Sequence, residues 1–380
     1  MKKRLGIFTI ALILIVVVLT GCSTTIAVRT LVPAKVDVSG YKTIAVMSTI
    51  DNTKWVRPVL WALYAPTKNV EDRYLRDVSL TTGLDITVAT SISDSASAMI
   101  YKAINTGLSF KVLEPKLTDA YVLVGQNGGN LRQTLMDNGV DAILKTEVSY
   151  LYYDEYVYQE NDKYASKDSS GNTYYKKNFY FVQQYAISIS YVLTDVENNK
   201  IIATGVFSSD ARENVTRIGH TKDPSGAFIR DTYTVKSASE LFKSLINEFT
   251  NKFRDELAPH YVTEYFEFQP NKPKVDSLVP AYDALDDENW MVALRIFDDE
   301  YKKSGHANAG MNAAILYFAT GEVQKAFDMT QEIYNKTGDK DALDLYYHFK
   351  RINDRENAAQ NQINSTEKSG STTGGDLIGF

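Results

Sequence analysis

The chain has 380 residues, of which 44% are hydrophobic and 23% are charged, and this composition is typical of a folded globular protein. Its formal net charge of −6 disfavours nucleic acid as a partner, because phosphate backbones are held by clusters of Lys and Arg. The sequence has a single cysteine, which excludes a disulfide within the chain.

The amino end has the pattern of a secretory signal. A basic stretch over 2–4 precedes an apolar run over 5–19, LGIFTIALILIVVVL, which is shorter than the ~20 residues of a lasting membrane span. The run leads into LTGC over 19–22, which resembles the lipobox of bacterial lipoproteins. The resemblance implies that residues 1–21 are removed and that Cys22 is diacylated on sulfur, with a further chain such as palmitate on its amine. The alternative is an uncleaved signal anchor with an unrelated cysteine.

Acylation of Cys22 would make the membrane a partner through lipid rather than through charge. Each buried methylene contributes ~0.8 kcal/mol, so two or three chains hold a soluble body on a membrane. Removal of the signal takes three positive charges and leaves a formal net charge of −9, which disfavours electrostatic binding to anionic lipid. We expect a periplasm-facing protein of the cell envelope. Ser23, where aspartate would retain a lipoprotein in the inner membrane of enteric bacteria, favours the outer membrane.

The first half of the mature chain predicts alternating strands and helices. Residues 22–40 are predicted to be an extended, lipidated tether, and residues 51–90 an inserted loop with packed aromatics. Between them, TIAVM over 43–47 predicts a buried strand. The remaining predictions are a helix from Ser91 with apolar residues at 96, 99, 100, 103 and 104, a strand over 110–113, and a helix that ends at Gly139.

A long strand pair follows. The segment VDAILKTEVSYLYYDEYVY over 140–158 predicts one strand, and the strict alternation of Tyr185, Ile187, Ile189, Tyr191 and Leu193 predicts the return strand. A turn at Asn198-Asn199 then leads into another strand. Ser237 and Glu240 form a capping box that begins an amphipathic helix, which Pro259 closes.

This order predicts an α+β fold in which helices pack on one face of a sheet over residues 41–268. The segments YKTIAVMS, GVDAILKTEVSY and ISISYVLTDVENNKIIATG, in this order, resemble the curli-secretion (CsgG-like) lipoprotein superfamily, which also includes lipoprotein activators of penicillin-binding proteins. The resemblance covers about residues 30–265 and depends on the order of the segments rather than on catalytic residues.

The carboxyl third predicts an all-α domain of helical repeats over 274–358. ENWMVALRIFDDEYKKSG over 288–305 aligns with GEVQKAFDMTQEIYNKTG over 321–338 at an offset of 33 residues, and a weaker third copy places Ala359 opposite Ala326. A period near 34 resembles tetratricopeptide repeats. The alternative is a generic pair of helices. Residues 359–380, rich in Asn, Ser, Thr and Gly, are predicted to be a disordered tail.

Repeat geometry suggests a groove for a partner. The first helices of successive pairs are predicted near 279–287 and 308–319, with Ala281, Leu285, Ala314 and Phe318 packed between helices. Tyr282, Asn312, Ile315 and Tyr317 are predicted to line the groove, and tyrosine is a frequent interface anchor.

We expect no enzymatic activity, no cofactor and no metal site. The four histidines lie far apart without a ligand at helical spacing, no P-loop is present, and no nucleophile elbow marks a serine. A Ser–His–Asp site assembled from distant residues stays open as a less favoured possibility.

We therefore expect a non-catalytic, protein-binding lipoprotein of the envelope whose protein partner is unknown. The alternative is a subunit of a curli-type outer-membrane secretion pore, to which each subunit contributes two long hairpins. The first hairpin is long enough, because the region of Leu151, Tyr153, Tyr156 and Tyr158 could pair with that of Phe179, Phe181, Tyr185 and Ile187. The second candidate, over 207–235, carries charges on both faces, which disfavours the pore.

Overall fold

The computed structural model describes residues 25–52, 86–221 and 234–371. Within them the chain divides into two compact units. The sheet unit comprises Ala34–His260 and Asn361–Phe380, and the helical unit comprises Met1–Pro33 and Tyr261–Gln360, each as far as it is described. Mixed α/β content with a helical carboxyl region is confirmed.

The strands and helices of the chain are numbered here in order. The strands are β1 (Thr25–Val32), β2 (Thr43–Val46), β3 (Ile50–Asp51), β4 (Lys111–Leu113), β5 (Ala142–Lys167), β6 (Thr173–Asp195), β7 (Lys200–Ser208), β8 (Val215–Thr221) and β9 (His260–Glu267). The helices are α1 (Ile86–Ile104), α2 (Pro115–Asn127), α3 (Leu131–Asp137), α4 (Ala238–Leu257), α5 (Val279–Asp286), α6 (Trp290–Ser304), α7 (Ala307–Ala319), α8 (Val323–Thr337) and α9 (Lys340–Ser371).

The sheet unit is built on a mixed sheet with the order β4-β2-β5-β6-β7. β2 is parallel to both β4 and β5, whereas β5, β6 and β7 are antiparallel. The predicted long hairpin is therefore present, and it continues further than predicted, with pairs from Ala142↔Asp195 to Lys167↔Thr173. β3 adds to β5, and β8 adds to β6 beyond the end of β7.

Helices cover both faces of this sheet, whereas the sequence pattern predicted one covered face. Ile44 and Val46 of β2 point into the cluster that contains α1 and α4. Ala45, between them, points to the opposite face and joins a second cluster with Leu135 of α3. Because side chains alternate along a strand, a strand that is apolar at every position is buried on both sides.

Helix α4 begins at the predicted capping box and buries the predicted apolar face. The hydroxyl of Ser237 accepts a hydrogen bond from the Glu240 amide (3.3 Å), and the Glu240 carboxylate accepts one from the Ser237 amide (2.8 Å), so the capping box is confirmed. The predicted apolar face is fully buried: Leu241, Phe242, Leu245, Ile246, Phe249 and Phe253. This face closes the core over β5, β6 and β7.

The helical unit repeats at 33 residues. Trp290 and Val323 begin α6 and α8, and both helices end at a left-handed glycine, Gly305 and Gly338. A left-handed residue after the last turn satisfies helix-end carbonyls, and glycine adopts it without steric cost. The two predicted copies are therefore real helix pairs, α5 with α6 and α7 with α8.

The third copy differs from its prediction. Glu288 and Gly321 precede the second helices of the first two pairs, and both have positive φ, 55° and 86°. Asp354 occupies the corresponding position in the third copy and lies inside α9, which continues without a turn. The predicted tail over 359–380 is also corrected, because its residues up to Ser371 are helical and Ala359 and Ile363 are buried. Residues 372–380 lie outside the described residues.

Two predicted boundaries also differ from the structure. The tether over 22–40 contains β1, which pairs with β9 in a two-stranded sheet of the helical unit. Accordingly the sheet unit ends at His260 rather than 268, and the helical unit begins at Tyr261 rather than 274. The physical reason is burial, since Ile26 and Phe266 are core residues of the helical unit.

Gly205 of β7 leaves room for the ring of Tyr191, which a larger residue at this position would displace. A Cβ added there would lie 2.9 Å from Cζ of Tyr191, a buried ring that also contacts Phe207 and Phe253. We predict that Gly205→Ala destabilises the sheet unit by ~1–3 kcal/mol through overpacking, measured by urea unfolding. Thr204→Ala, at an exposed position beside it, is the control and should stay within about 0.5 kcal/mol of the parent. Equal stability of the two variants would contradict the prediction.

Candidate functional site

The predicted groove of the helical unit is filled by the chain itself. Ala281, Leu285, Ala314 and Phe318 are buried between helices, as predicted. Asn312 and Ile315 are buried as well, with 0% and 1% exposure, so the prediction that they face an open groove is wrong. The segment that follows β9, residues 268–275, lies over this face of α5 and α7.

Asn312 holds the main chain of this segment in a bidentate manner. Its Oδ1 accepts a hydrogen bond from the amide of Gln269 (2.7 Å), and its Nδ2 donates to the carbonyl of Gln269 (2.9 Å). The hydroxyl of Tyr282 donates to the same carbonyl (2.7 Å). Burial raises the pKa of Tyr282 to about 12, so this hydroxyl keeps its proton at neutral pH.

Further contacts hold the segment on both sides of Gln269. Nδ2 of Asn308 donates to the carbonyl of Pro270 (2.8 Å). Nδ1 of His306 accepts from the Ala309 amide (3.2 Å), which assigns the ring proton to Nε2, and Nε2 donates to the carbonyl of Pro273 (2.9 Å).

Phe268 anchors the start of this segment. The side chain is buried, and its ring stacks on Trp290 with 6.3 Å between ring centres. The segment is therefore bound by an aromatic anchor at one end and by main-chain hydrogen bonds along its length.

Tyr317, the last predicted groove residue, is half-buried and engaged with α6. Its hydroxyl donates to Oδ2 of Asp298 (2.9 Å), which also accepts from Lys302 (2.5 Å). Burial and the Asp298 charge raise the pKa of Tyr317 to about 12. The structure thus brings Tyr282 and Asn312 together around Gln269 and places Tyr317 in a separate contact.

The free edge of the sheet lies at β7. Within the described residues β7 pairs with β6 alone, and its register is regular from Ala203 to Ser208. Ile201 and Val206 are 58% and 61% exposed, and no charged residue occurs over 201–209. The opposite edge strand, β4, is only three residues long and begins with a lysine.

Natural proteins protect sheet edges with charges, prolines or short strands, and β7 lacks all three after its first residue. The sequence identified β7 as a strand but contained no signal that it ends the sheet. Edge position depends on strand order, which is a tertiary property.

A cavity of about 470 Å³ lies at the end of the sheet and has an acidic lining. Asp141 accepts hydrogen bonds from the amides of Lys42 and Thr43, both at 2.8 Å. Asp195 accepts from Asn198 and from the hydroxyl of Tyr41 (3.2 Å), and burial together with Asp195 raises the pKa of Tyr41 to about 12. Both aspartates therefore hold the loops around them in place.

The base of the long hairpin is part of the core. Leu151 pairs with Ile187 and Tyr153 with Tyr185, as the sequence suggested. Tyr153 and Tyr185 contact Phe242 of α4, with ring centres 6.3 and 6.2 Å apart. Their side chains are therefore covered by the chain's own helix. Residues 222–233 of the second candidate hairpin, which was predicted over 207–235, lie outside the described residues.

Cys22, the predicted lipidation site, also lies outside the described residues. In the part of the chain that the structure describes, no cluster of His, Cys, Asp and Glu has the arrangement of a metal site. Within the same residues, none of the helices combines the length and the hydropathy that crossing a bilayer requires.

The chain is similar to solved structures at low sequence identity. No protein-family model matches the chain, and no curated protein matches it. Similar solved structures include PelC dodecamers from Paraburkholderia phytofirmans, at 11% identity and TM-scores of 0.22–0.23, over 60–61% of this chain and 97–98% of that one. Lipoprotein GNA1162 from Neisseria meningitidis matches at 13% identity and a TM-score of 0.23, over 55% of this chain and 99% of that one. TM-scores this low carry no argument about fold or function.

The hydrogen bonds between Asn312 and Gln269 predict that two asparagines of α7, Asn312 and Asn308, contribute differently to stability. Asn312→Ala leaves the amide of Gln269 without its acceptor and removes one of the two donors to the Gln269 carbonyl, which then keeps the Tyr282 hydroxyl alone. An unpaired buried group costs ~1–3 kcal/mol, and we expect a loss of about 2–3 kcal/mol in urea unfolding, with faster hydrogen exchange in α7. Asn308→Ala, which removes one exposed bond, should cost no more than about 0.5–1 kcal/mol. Equal losses of stability in both variants would contradict the conclusion that Asn312 is the main residue that holds the segment 268–275.

Proposed function

We propose that this protein is a lipid-anchored lipoprotein of the cell envelope that binds another protein without catalysing a reaction. The anchor is acylated Cys22, and the outer membrane is favoured by Ser23. We infer that the helical unit is a short tetratricopeptide-like array, and that the resemblance of the sheet unit to curli-secretion lipoproteins reflects a shared envelope role.

The free edge of β7 carries the protein-binding part of this proposal. An exposed strand edge presents unpaired main-chain donors and acceptors, and partners bind it by adding a strand of their own. The exposed side chains of Ile201 and Val206 would give such a strand apolar contacts. The filled groove of the helical unit also favours β7 as the binding surface. The groove side chains Asn312 and Tyr282, which could bind the main chain of a partner, already bind Gln269 of the segment 268–275.

The secretion-pore alternative has less support. A pore subunit would present the alternate residues of its long hairpin to lipid. Leu151 and Tyr153 are instead buried, at 6% and 5% exposure, in the core that α4 completes.

The lipid anchor is tested by removing the thiol. We expect Cys22→Ser to leave the fold intact and to release the mature protein from membranes into the soluble fraction, because acyl chains provide the anchoring energy. Ser23→Ala is the matched control and should stay with the membrane. Retention of processed Cys22→Ser protein in washed membranes would contradict the lipoprotein assignment.

The β7 edge is tested by photo-crosslinking in the native cell. A photoreactive phenylalanine analogue at Ile201 or Val206 should give protein adducts, because a bound strand would contact these side chains. The same analogue at Leu123 of α2, which is 59% exposed, is the control. Val206→Lys should reduce co-purification of the crosslinked partner while changing stability by no more than about 0.5 kcal/mol. Adducts at Leu123 that equal those at β7 would contradict the proposal.

A further inference from the structure

The two-stranded sheet β1–β9 has an outer face that is exposed along both strands. In β1, Thr25, Ala27 and Arg29 are exposed, while Ile26 is buried. In β9 the exposed positions alternate in the same way, and they are Tyr261, Thr263, Tyr265 and Glu267. These seven residues are called the outer face below.

The inner and outer faces of this sheet are clearly separated. Ile26 and Phe266 belong to the core of the helical unit, where Phe266 contacts Phe349 of α9 with 5.6 Å between ring centres. On the other side, Cζ of Arg29 lies 4.1 Å from the centre of the Tyr261 ring. This contact shows that the exposed residues of the two strands share one surface.

The chemistry of the outer face suits a membrane–water interface. Tyr261 and Tyr265 are 42% and 68% exposed. Tyrosine is enriched at this interface because its ring is apolar and its hydroxyl is polar, and arginine places its charge in water above a buried stem. Arg29 and Glu267 give the outer face opposite charges of equal size, so it does not share the negative balance of the whole chain.

The sequence places this face next to the predicted anchor. Thr25 follows Cys22 by three residues, and an extended chain spans at most ~3.3–3.6 Å per residue, or about 11 Å here. The polar layer of each leaflet is about 5–8 Å thick, given the total and hydrocarbon thicknesses of a bilayer. A lipid on Cys22 therefore keeps the start of β1 at the membrane surface.

We propose that the outer face of the β1–β9 sheet docks on the phospholipid headgroups of the membrane that holds the lipid of Cys22. This inference depends on the proposed function, in which Cys22 is acylated. Docking fixes which side of the helical unit faces the bilayer, whereas a lipid on a flexible connection would leave this orientation unrestricted.

The test uses the lipidated protein in phosphatidylcholine vesicles. Cys22 is the only cysteine and is acylated, so Tyr265→Cys provides one free thiol for an environment-sensitive fluorophore. Thr263→Cys is a second probe of the same face. Tyr347→Cys is the control, because Tyr347 is 57% exposed and belongs to α9, whose Phe349 packs on the inner face of the sheet.

Docking predicts blue-shifted emission at 265 and 263, and severalfold stronger quenching there than at 347 by lipids that carry a spin label at the headgroup. Equal emission and quenching at all three positions, with the protein floating with the vesicles, would overturn this inference alone. A shift that depends on protein concentration in detergent would also overturn it, since it would indicate a protein contact. Failure to float with vesicles would overturn the lipid anchor and this inference together.

Discussion

The hydrogen bonds between Asn312 and the main chain of Gln269 organise the helical unit. A buried peptide group must be paired, because an unpaired donor or acceptor costs ~1–3 kcal/mol. A carboxamide offers one donor and one acceptor side by side, so a single asparagine satisfies both polar groups of one residue. Once Gln269 is held there, Phe268 reaches Trp290 and Pro273 reaches His306. The surface that repeat geometry would leave open for a partner is consequently part of the core.

Because the groove of the helical unit is filled, the interaction surfaces proposed for this protein lie on its strands. β7 has a regular register and an uncharged run of residues, and among the described residues it pairs with β6 alone. Sheet edges of this kind are normally protected, since they otherwise recruit further strands. An unprotected edge in a folded protein is therefore more informative about binding than scattered exposed side chains, which are common on any surface.

The proposed lipid anchor and the proposed docking of the outer face of the β1–β9 sheet would act together. A short connection to lipid would restrict the distance between β1 and the membrane, and an amphipathic tyrosine surface would restrict its orientation as well. The chain's negative net charge makes electrostatic attraction to anionic lipid a minor contribution. Orientation would then come from aromatic side chains, which are insensitive to ionic strength.

Features that depend on a local pattern were predictable from the amino-acid sequence. The capping box and apolar face of α4, the strand pair β5–β6 and the 33-residue spacing of α6 and α8 are all readable, because helices and strands have fixed periods. The resemblance of residues 19–22 to a lipobox is likewise a local signal, and it stays a prediction.

Strand partners and the covered side of each helix depend instead on segments that are distant in the sequence. β1 (Thr25–Val32) pairs with β9 (His260–Glu267), and no local pattern specifies a partner so distant in the sequence. Asn312 lies inward because residues 268–275 cover α7, whereas repeat geometry predicted that it faces an open groove. Asp354 continues α9, whereas Glu288 and Gly321 turn the chain at equivalent positions, because Ile352 and Ala359 on either side of Asp354 are buried along one helix. Local pattern fixes period and approximate bounds, while burial by distant segments fixes partners and faces.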